Sequence, residues 1–300
     1  MNKVLILIAA GCLIAACGGS SSSGGNTPSS PEAPTGGGPP PVSGGGGAVS
    51  FGEPLATQIR PGVEVVADGS SCTSNFLYQL NAETVFLGVA AHCFSPDTNS
   101  GVDPCESRSL DIGFNQVIVE NAQQPAELVY SSWRAMQEVG ETPGSDACRY
   151  NDFALVKLHP DDIANIHPAT VAFGGPVALA TGTADVGEDI FLYGHSSLHF
   201  GVRELETMVG SIVAVEGGGW SYSVSTDTPA VPGDSGGPVL DSQGRALAAT
   251  SVLSVGVRLD PLRNGVVNLD RALRYAKDNG FVDRGLSLIN WPDFRPGGDL

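Results

Sequence analysis

The sequence predicts an all-β fold, arranged as a barrel or a sandwich, for the part of the chain that begins near Phe51. Three observations support this prediction. Short runs rich in β-branched and aromatic residues recur along this part, and Gly, Pro, Asn or Asp separate them. Only one stretch has the spacing of a credible helix. Recurrent short strands between turn residues are typical of closed or layered β architectures.

The predicted strands follow one another through the whole of this region. Each is a run of apolar or alternating residues bounded by turn formers. In chain order the clearest are VEVVAD (63–68), TVFLGVAA (84–91), AELVYSS (126–132), DFALVKL (152–158), DIFLYG (189–194), GSIVAV (210–215) and RALAATSV (245–252).

One helix is predicted near the C-terminus. Asn268 supplies its N-cap and Gly280 its end. Its apolar residues recur at i, i+3, i+4 and i+7, the spacing of one helix face: Leu269, Ala272, Leu273 and Ala276. The polar stretch 159–168 divides two β-rich halves, so we expect an N-terminal half over 51–165 and a C-terminal half over 166–280. The tail, 281–300, has no clear period.

The first 16 residues have the features of an export signal. Lys3 provides the positive end, and the apolar run VLILIAAGCLIAA that follows is shorter than a membrane-spanning helix requires. Residues 13–17, LIAAC, resemble the bacterial lipobox, which implies lipidation of Cys17. Ordinary secretion with a chance cysteine is the alternative. In the Gram-negative lipoproteins that this stretch resembles, an Asp after the lipidated cysteine signals retention at the inner membrane. Gly18 follows Cys17 here, so we expect the protein at the outer membrane, facing the periplasm or the cell surface.

A low-complexity segment follows the candidate lipid site. Of the 33 residues from Gly18 to Ser50, 25 are Gly, Ser or Pro. Such a segment lacks the apolar content needed to bury a core. We therefore expect residues 17–50 to form a lipidated, disordered tether between the membrane and the folded part.

Charge and cysteine content narrow the possible partners and the compartment. The formal net charge is −17, which disfavours a basic groove for nucleic acid. Of the six cysteines, Cys12 would leave with the signal and Cys17 would carry lipid. The remaining four suggest two disulfides in an exported protein, with three possible pairings: Cys72, Cys93, Cys105 and Cys148.

The stretch VPGDSGGPVL (231–240) places Ser235 in a tight turn before an apolar run. This is either an ordinary hairpin corner or a nucleophile beside an oxyanion hole. A nucleophilic serine requires a histidine base and a carboxylate that orients the base. His92 follows an apolar run and precedes Cys93, and Asp152 opens another such run, so both fit these roles. His195 and His199 lie in the turn-like GHSSLHFG, where a metal site is disfavoured.

Three sequence blocks together resemble the trypsin-like, chymotrypsin-fold serine proteases. They are AAHC (90–93), NDFAL (151–155) and GDSGGP (233–238), and they occur in that family's order of His, Asp and Ser. The resemblance extends over residues 61–277. It implies two six-stranded antiparallel β-barrels with the active site between them, followed by a C-terminal helix.

The resemblance also implies the role of each site residue. His92 is the general base and later the general acid, Asp152 orients it, and Ser235 is the nucleophile. The backbone N–H groups of Gly233 and Ser235 form the oxyanion hole, and Ser251 lines the cleft and can bond to Asp152. A Cys72–Cys93 disulfide ties down the histidine loop, which leaves Cys105 and Cys148 as the second pair.

The sequence departs from the animal digestive members of this family at two places. It has no Ile-Val-Gly-Gly start, whose freed amino group would pair with Asp234, so either an internal partner or an unrecognised cleavage must serve instead. The family's primary pocket has its floor six residues before the nucleophile, and Pro229 occupies that position here instead of the Asp that selects Arg or Lys. Val252 and Leu253 follow Ser251 on the pocket wall, so we expect cleavage after small or medium apolar residues rather than after Arg or Lys.

The sequence therefore predicts a monomeric serine endopeptidase that acts on protein or peptide substrates and is held at the membrane by its N-terminal lipid. No metal or organic cofactor is expected. The alternative is a catalytically silent, protease-like binding or adhesion lipoprotein on the same scaffold.

Overall fold

Strands dominate the chain in a computed structural model that describes residues 51–97, 101–251 and 263–298. The strands of the N-terminal half are β1 (Glu64–Ala67), β2 (Ser70–Thr73), β3 (Leu77–Asn81), β4 (Thr84–Val89), β5 (Ile118–Val119), β6 (Glu127–Ser131) and β7 (Ala154–Lys157). Those that follow are β8 (Asp189–Tyr193), β9 (Thr207–Glu216), β10 (Ser221–Thr226), β11 (Pro238–Asp241), β12 (Ala246–Ser251), β13 (Asn264–Asn268) and β14 (Ser287–Leu288).

Helices are short and few in this fold. The α-helices are α1 (Ser132–Val139), α2 (Asp146–Tyr150), α3 (Arg203–Glu206) and α4 (Leu269–Asp278). Single turns of 3-10 helix occupy Ala91–Phe94, Pro160–Asn165 and Ser197–His199. All seven runs predicted as strands fall on observed strands, so the prediction of a mainly β protein is confirmed.

The C-terminal half contains a closed six-stranded antiparallel barrel with the strand order β10-β13-β12-β11-β8-β9. Apolar side chains that alternate along its strands fill the interior, as the period of two requires. The largest members of this core are Ile190, Leu192, Met208, Ile212, Tyr222, Val224, Val239, Leu247 and Val266.

The N-terminal half differs from the second closed barrel that the family resemblance implies. Its described strands form a three-stranded sheet, β2-β1-β5, and, together with β14 from the C-terminal tail, a five-stranded sheet, β14-β3-β4-β7-β6. The chain passes from one sheet to the other between β2 and β3, where the N–H of Ser74 donates to the carbonyl of Val63 beside β1 and the N–H of Asn75 donates to the carbonyl of Gly88 on β4. Strand β5 is only two residues long. The chain ahead of it is joined to the start of β6 by the Val117–Ala126 bridge and by backbone bonds of Leu128 with Gly113 and Phe114.

Both predicted disulfides are confirmed, and both lie in the N-terminal half. Cys72 bonds Cys93, which joins β2 to the 3-10 turn that carries His92. Cys105 bonds Cys148, which joins a loop to helix α2 just ahead of Asp152. Each crosslink therefore ends within four residues of a predicted catalytic side chain.

The C-terminal segment packs back onto the rest of the chain. Asn268 caps α4 by accepting a bond from the N–H of Arg271, and the helix buries the apolar face that its spacing predicts. Residues 281–298, for which the sequence showed no period, add strand β14 to the edge of β3. Within the described ranges, no helix combines the length and the apolar character needed to cross a bilayer.

Candidate active site

The pairing of two antiparallel strands brings His92 and Asp152 to the same edge of a sheet. Strand β4 ends at Val89, and Val89 pairs with Ala154, the first residue of β7. Residues just after β4 and just before β7 therefore meet at that edge. His92 lies three residues past the end of β4, and Asp152 lies two residues ahead of β7. Both side chains are buried.

Three donors hold the carboxylate of Asp152. The backbone N–H of His92 donates to Oδ1 at 2.9 Å, and His92 Nδ1 lies 2.7 Å from Oδ2. The hydroxyl of Ser251 donates to the same Oδ2 at 2.6 Å. Burial alone would raise the pKa of Asp152, but the His92 ring and these hydrogen bonds together bring the pKa below its usual range.

This arrangement fixes which nitrogen of the His92 ring carries the proton. A carboxylate can only accept, so Nδ1 must donate to Asp152. In the neutral ring, Nε2 is then left with a lone pair and can accept a proton. A base of this form is what a serine hydroxyl requires for activation.

Ser235 lies in a turn that is bonded to both halves of the molecule. Its carbonyl accepts from the N–H of Thr73 at 2.8 Å, beside the Cys72–Cys93 disulfide. The next residue, Gly236, donates to the carbonyl of Thr250 on β12, and β12 ends at Ser251. The turn is thus bonded to β2, the strand that contains Cys72, and to β12, whose last residue, Ser251, bonds to Asp152.

Gly236 is required for this close approach. Its φ is +87°, in the left-handed region, and a Cβ there would lie 2.4 Å from the carbonyl oxygen of Thr73 and 2.9 Å from the nitrogen of Ala90. Only glycine lets the Ser235 turn pack directly on the backbone that leads to His92.

The buried carboxylate of Asp234 has an internal partner. It is fully buried and lies 2.8 and 2.9 Å from Nε2 of His199, which must therefore donate. The N–H groups of Val231 and Ser196 also donate to it, at 2.8 and 3.1 Å. Burial raises the pKa of Asp234 above its usual range, and these donors oppose that effect. Of the two alternatives left by the sequence, the structure supplies the internal partner.

The turn leaves two backbone N–H groups available to a ligand. Among the described residues, the nitrogens of Gly233 and Ser235 donate to no protein acceptor, whereas those of Asp234, Gly236 and Gly237 do. Two unpaired N–H groups on alternate residues of one tight turn are suited to binding a single negatively charged oxygen.

The predicted pocket residues are only partly within the described chain. Pro229 is exposed in the segment after β10, and its neighbour Ala230 exchanges two hydrogen bonds with the Asn264 side chain. Ser251 is buried and bonded to Asp152. Val252 and Leu253 lie outside the described residues, as does the predicted lipidation site, Cys17.

Three polar side chains contact the Ser235 turn although the sequence analysis gave them no role there: Thr73, Ser196 and His199. A weak signal existed for His199, because an Asp234 without a new amino terminus needs an internal partner and the chain has five histidines. Within the described residues, two groups of side chains have the spacing of metal ligands, and both consist largely of disulfide-bonded cysteines: Cys72 with His92 and Cys93, and Asp103 with Cys105 and Cys148. Neither group therefore offers thiolates to a metal.

Comparison with known proteins agrees with this geometry. The family model described as "Trypsin-like peptidase domain" matches residues 89–248, a span that includes His92, Asp152 and Ser235. A search of curated proteins finds no match.

Several solved structures resemble the chain distantly. A glutamic acid-specific serine protease that uses a histidine triad in substrate binding is 18% identical, with 77% of this chain and 100% of that chain covered and a TM-score of 0.46. The Rv3671c protein from M. tuberculosis H37Rv, in an inactive form, is 16% identical, with 74% and 87% covered and a TM-score of 0.43. The thermostable serine protease AL20 from an extremophilic microorganism is 16% identical, with 73% and 94% covered and a TM-score of 0.45.

Proposed function

The chain belongs to the trypsin-like peptidase domain family, and on that premise we propose that it is a serine endopeptidase that hydrolyses peptide bonds through an acyl-enzyme on Ser235. The observation that carries the proposal is the buried pair of His92 and Asp152, 2.7 Å apart. A carboxylate held by three donors and aimed at the Nδ1 of an imidazole orients that ring as a base toward a third group.

In the proposed reaction, Ser235 Oγ attacks the carbonyl carbon of the scissile bond while Nε2 of His92 takes the hydroxyl proton. The carbonyl oxygen becomes negatively charged and receives hydrogen bonds from the N–H groups of Gly233 and Ser235. His92 then gives its proton to the leaving amine nitrogen as the C–N bond breaks. A water molecule, deprotonated by His92, attacks the ester and releases the acid and free Ser235.

Asp152 remains ionised throughout this sequence, in keeping with its lowered pKa. Its charge stabilises the imidazolium formed on His92 in both half-reactions. Asp234 has a different role in the proposal. It anchors the turn that presents Gly233 and Ser235, and Nε2 of His199 supplies a hydrogen-bond donor where a freed amino terminus serves in the digestive enzymes.

The substrate preference that we propose is a small or medium apolar residue on the acyl side of the scissile bond. It is supported by the sequence around the primary pocket, where Pro229 replaces the acidic residue that would select Arg or Lys. A library of fluorogenic peptides that varies only this residue tests the preference, and dominant cleavage after Arg would contradict it.

Anchoring in the cell envelope is the second part of the proposal. It is supported by the lipobox-like LIAAC (13–17) and by the tether that follows it. Metabolic labelling with a palmitate analogue, followed by membrane fractionation, tests it. Label and membrane association should both disappear in Cys17→Ala and persist in Cys12→Ala. Loss of label only in the second variant would overturn the assignment of Cys17.

The catalytic proposal is tested by hydrolysis of casein and of a fluorogenic peptide by the purified full chain. Wild type should hydrolyse both, and Ser235→Ala should lose all activity above background because it lacks the attacking oxygen. Ser242→Ala is the matched control, since Ser242 is exposed in the turn between β11 and β12. Inactivity of the wild type, or retained activity in Ser235→Ala, would favour a silent binding protein or another nucleophile.

A further inference from the structure

The turn that carries Ser235 is supported by the segment that follows β8, residues 194–199. Three contacts join the two segments directly. His199 binds the carboxylate of Asp234, the N–H of Ser196 donates to the same carboxylate, and the hydroxyl of Ser196 donates to the carbonyl of Pro232 at 2.5 Å. Ser196 is 4% exposed, so solvent does not compete for this hydroxyl.

The bond from Ser196 fixes the orientation of a particular peptide plane. In a planar trans peptide, the C=O and the N–H point in opposite directions. Because the carbonyl of Pro232 points at Ser196, the N–H of Gly233 must point away from the 194–199 segment. This is one of the two N–H groups that find no acceptor among the described residues.

A second hydroxyl fixes the peptide on the other side of Gly233. Thr73 Oγ1 donates to the carbonyl of Gly233 at 2.8 Å and accepts from the N–H of His195 at 2.9 Å. Thr73 is fully buried. The following N–H, that of Asp234, is thereby directed to the carbonyl of Val231, 3.0 Å away.

Gly233 itself would tolerate other orientations without these two bonds. Its φ is +104°, a region that glycine enters freely, so neither a side chain nor steric preference holds the two adjoining peptides in place. The close packing against Ser196, 2.8 Å from where a Cβ would lie, explains why a glycine is needed here. The orientation therefore depends on the hydroxyls of Ser196 and Thr73.

We propose that Ser196, assisted by Thr73, is a positioning residue that keeps the N–H of Gly233 directed into the oxyanion hole. This inference rests on the proposed endopeptidase function. Neither hydroxyl touches the substrate. Each acts by holding a peptide plane, so that the donor is in place before the oxygen becomes negative and no reorganisation is required at that moment.

The proposal predicts a loss in turnover rather than in binding. Complete loss of an oxyanion-hole donor lowers turnover by about 10²–10³-fold. Without the Ser196 hydroxyl, the Pro232–Gly233 peptide is free to rotate for part of the time, so the expected decrease in kcat is about 10- to 100-fold. KM should change by less than about threefold, because the ground-state carbonyl depends less on this donor.

The test uses the purified full chain and three variants: Ser196→Ala, Ser196→Thr and Ser197→Ala. Ser197 is the matched control, because it lies on the same turn and is exposed. We would measure kcat and KM on one fluorogenic peptide, and inhibition by the matching peptide aldehyde, whose hemiacetal oxygen occupies the oxyanion hole. Active sites would be titrated with a fluorophosphonate, so that misfolded molecules are not counted.

Ser196→Ala should lose kcat and aldehyde affinity by similar factors, Ser196→Thr should recover most of both, and Ser197→Ala should match wild type. Ser196 also caps the following 3-10 turn by accepting from the N–H of Leu198. A purely structural role in that cap would lower the melting temperature and the titrated fraction of active molecules. It would leave the aldehyde affinity of the active fraction unchanged, and that result would overturn the proposal.

The outcome for wild type separates this inference from the function on which it rests. If wild type neither hydrolyses peptide nor reacts with fluorophosphonate, the endopeptidase proposal fails. If wild type is active and Ser196→Ala keeps both kcat and aldehyde affinity within twofold, only the positioning proposal fails. Should Ser196→Ala not fold, the near-isosteric Thr73→Val removes the other hydroxyl and must show the same paired loss. Wild-type values in Thr73→Val would then contradict the proposal.

Discussion

The two halves of the molecule hold their parts of the site in different ways. The C-terminal half closes its six strands into a ring, and no cysteine follows Cys148 in the sequence. The N-terminal half divides its strands between two sheets and contains both disulfides. The contrast indicates that strand closure supports the turn that carries Ser235, whereas crosslinks add support beside His92 and Asp152.

The largest effect is expected from Asp152→Asn. Three donors now converge on the two carboxylate oxygens of Asp152. An amide replaces one of these oxygens with an NH₂ group, which cannot accept. The His92 ring therefore loses the charged acceptor that orients it. Turnover should fall by about 10⁴-fold, as it does for the corresponding substitution in a serine protease triad. The measurement is kcat on the fluorogenic peptide, with circular dichroism to verify the fold.

A buried aspartate of the other half is the control for this substitution. Asp241 on β11 is fully buried and accepts from Gln243 and Arg245. Asp241→Asn should lower stability, because loss of a charged hydrogen bond costs about 1.5–3 kcal/mol. It should leave kcat within about threefold, because Asp241 bonds to Gln243 and Arg245 and to none of the site residues. More than a tenth of wild-type kcat in Asp152→Asn would show that the N-terminal half does not supply the orienting group.

Removal of the disulfides should destabilise the two halves unequally. The Cys105–Cys148 crosslink spans 43 residues and the Cys72–Cys93 crosslink spans 21. Loop-closure entropy predicts losses of about 4 and about 3 kcal/mol when each pair is replaced by alanine. Urea unfolding gives the free energies, and amide hydrogen exchange locates the effect. Protection should fall in β1–β7 and persist in β8–β13, and equal loss in both would refute the contrast.

The contact between the halves is tested by Gly236→Ala. A Cβ there would lie 2.4 Å from the carbonyl oxygen of Thr73, and φ is +87°. Backbone strain and overpacking together should cost about 2–4 kcal/mol. Gly218→Ala isolates the backbone strain, because φ is +59° there and an added Cβ would have no neighbouring atom within 4 Å. It should cost about 1 kcal/mol, and equal losses in thermal unfolding would argue against the close approach.

Strand positions could be predicted from the sequence, but long-range contacts could not. The runs at 84–91 and 152–158 read as strands because β-branched and aromatic residues are concentrated there. The passage of the chain from one sheet to the other between β2 and β3 is set by backbone bonds of Ser74 and Asn75 to distant residues, and it has no distinctive local pattern. The bonds from Ser196 and Thr73 to the Ser235 turn cross 36 and 160 residues of chain, and no local period records such contacts.

The strand in the C-terminal tail could not be predicted from the sequence either, because residues 281–300 show no clear period. Strand β14 is two residues long and forms only because β3 offers an unpaired edge. A strand this short is determined by its partner rather than by its own propensity. The site residues were easier to predict, because the identities at 92, 152 and 235 are each set by a chemical requirement that few residue types satisfy.

The smallest expected effect is on the pH dependence of stability, which should have opposite signs for two buried aspartates, Asp152 and Asp234. The pKa of Asp152 is lowered in the fold, so the stability that it contributes is present above its unfolded pKa and is lost as the pH falls. The pKa of Asp234, beside His199, is raised, so its contribution is present at low pH and is lost as the pH rises through the folded pKa.

Urea unfolding between pH 3 and pH 7 measures this difference. The stability advantage of wild type over Asp152→Asn should shrink as the pH falls, and that over Asp234→Asn should grow. Parallel curves for the two variants would contradict the different environments assigned to the two carboxylates.

The central claim, that His92 activates Ser235, is tested most directly by locating the fluorophosphonate adduct on the full chain by peptide mass spectrometry and by timing its formation. A single adduct on Ser235 is predicted, formed about 10³-fold more slowly in His92→Ala because the general base is gone. An adduct on any other residue, or an unchanged rate in His92→Ala, would contradict the claim.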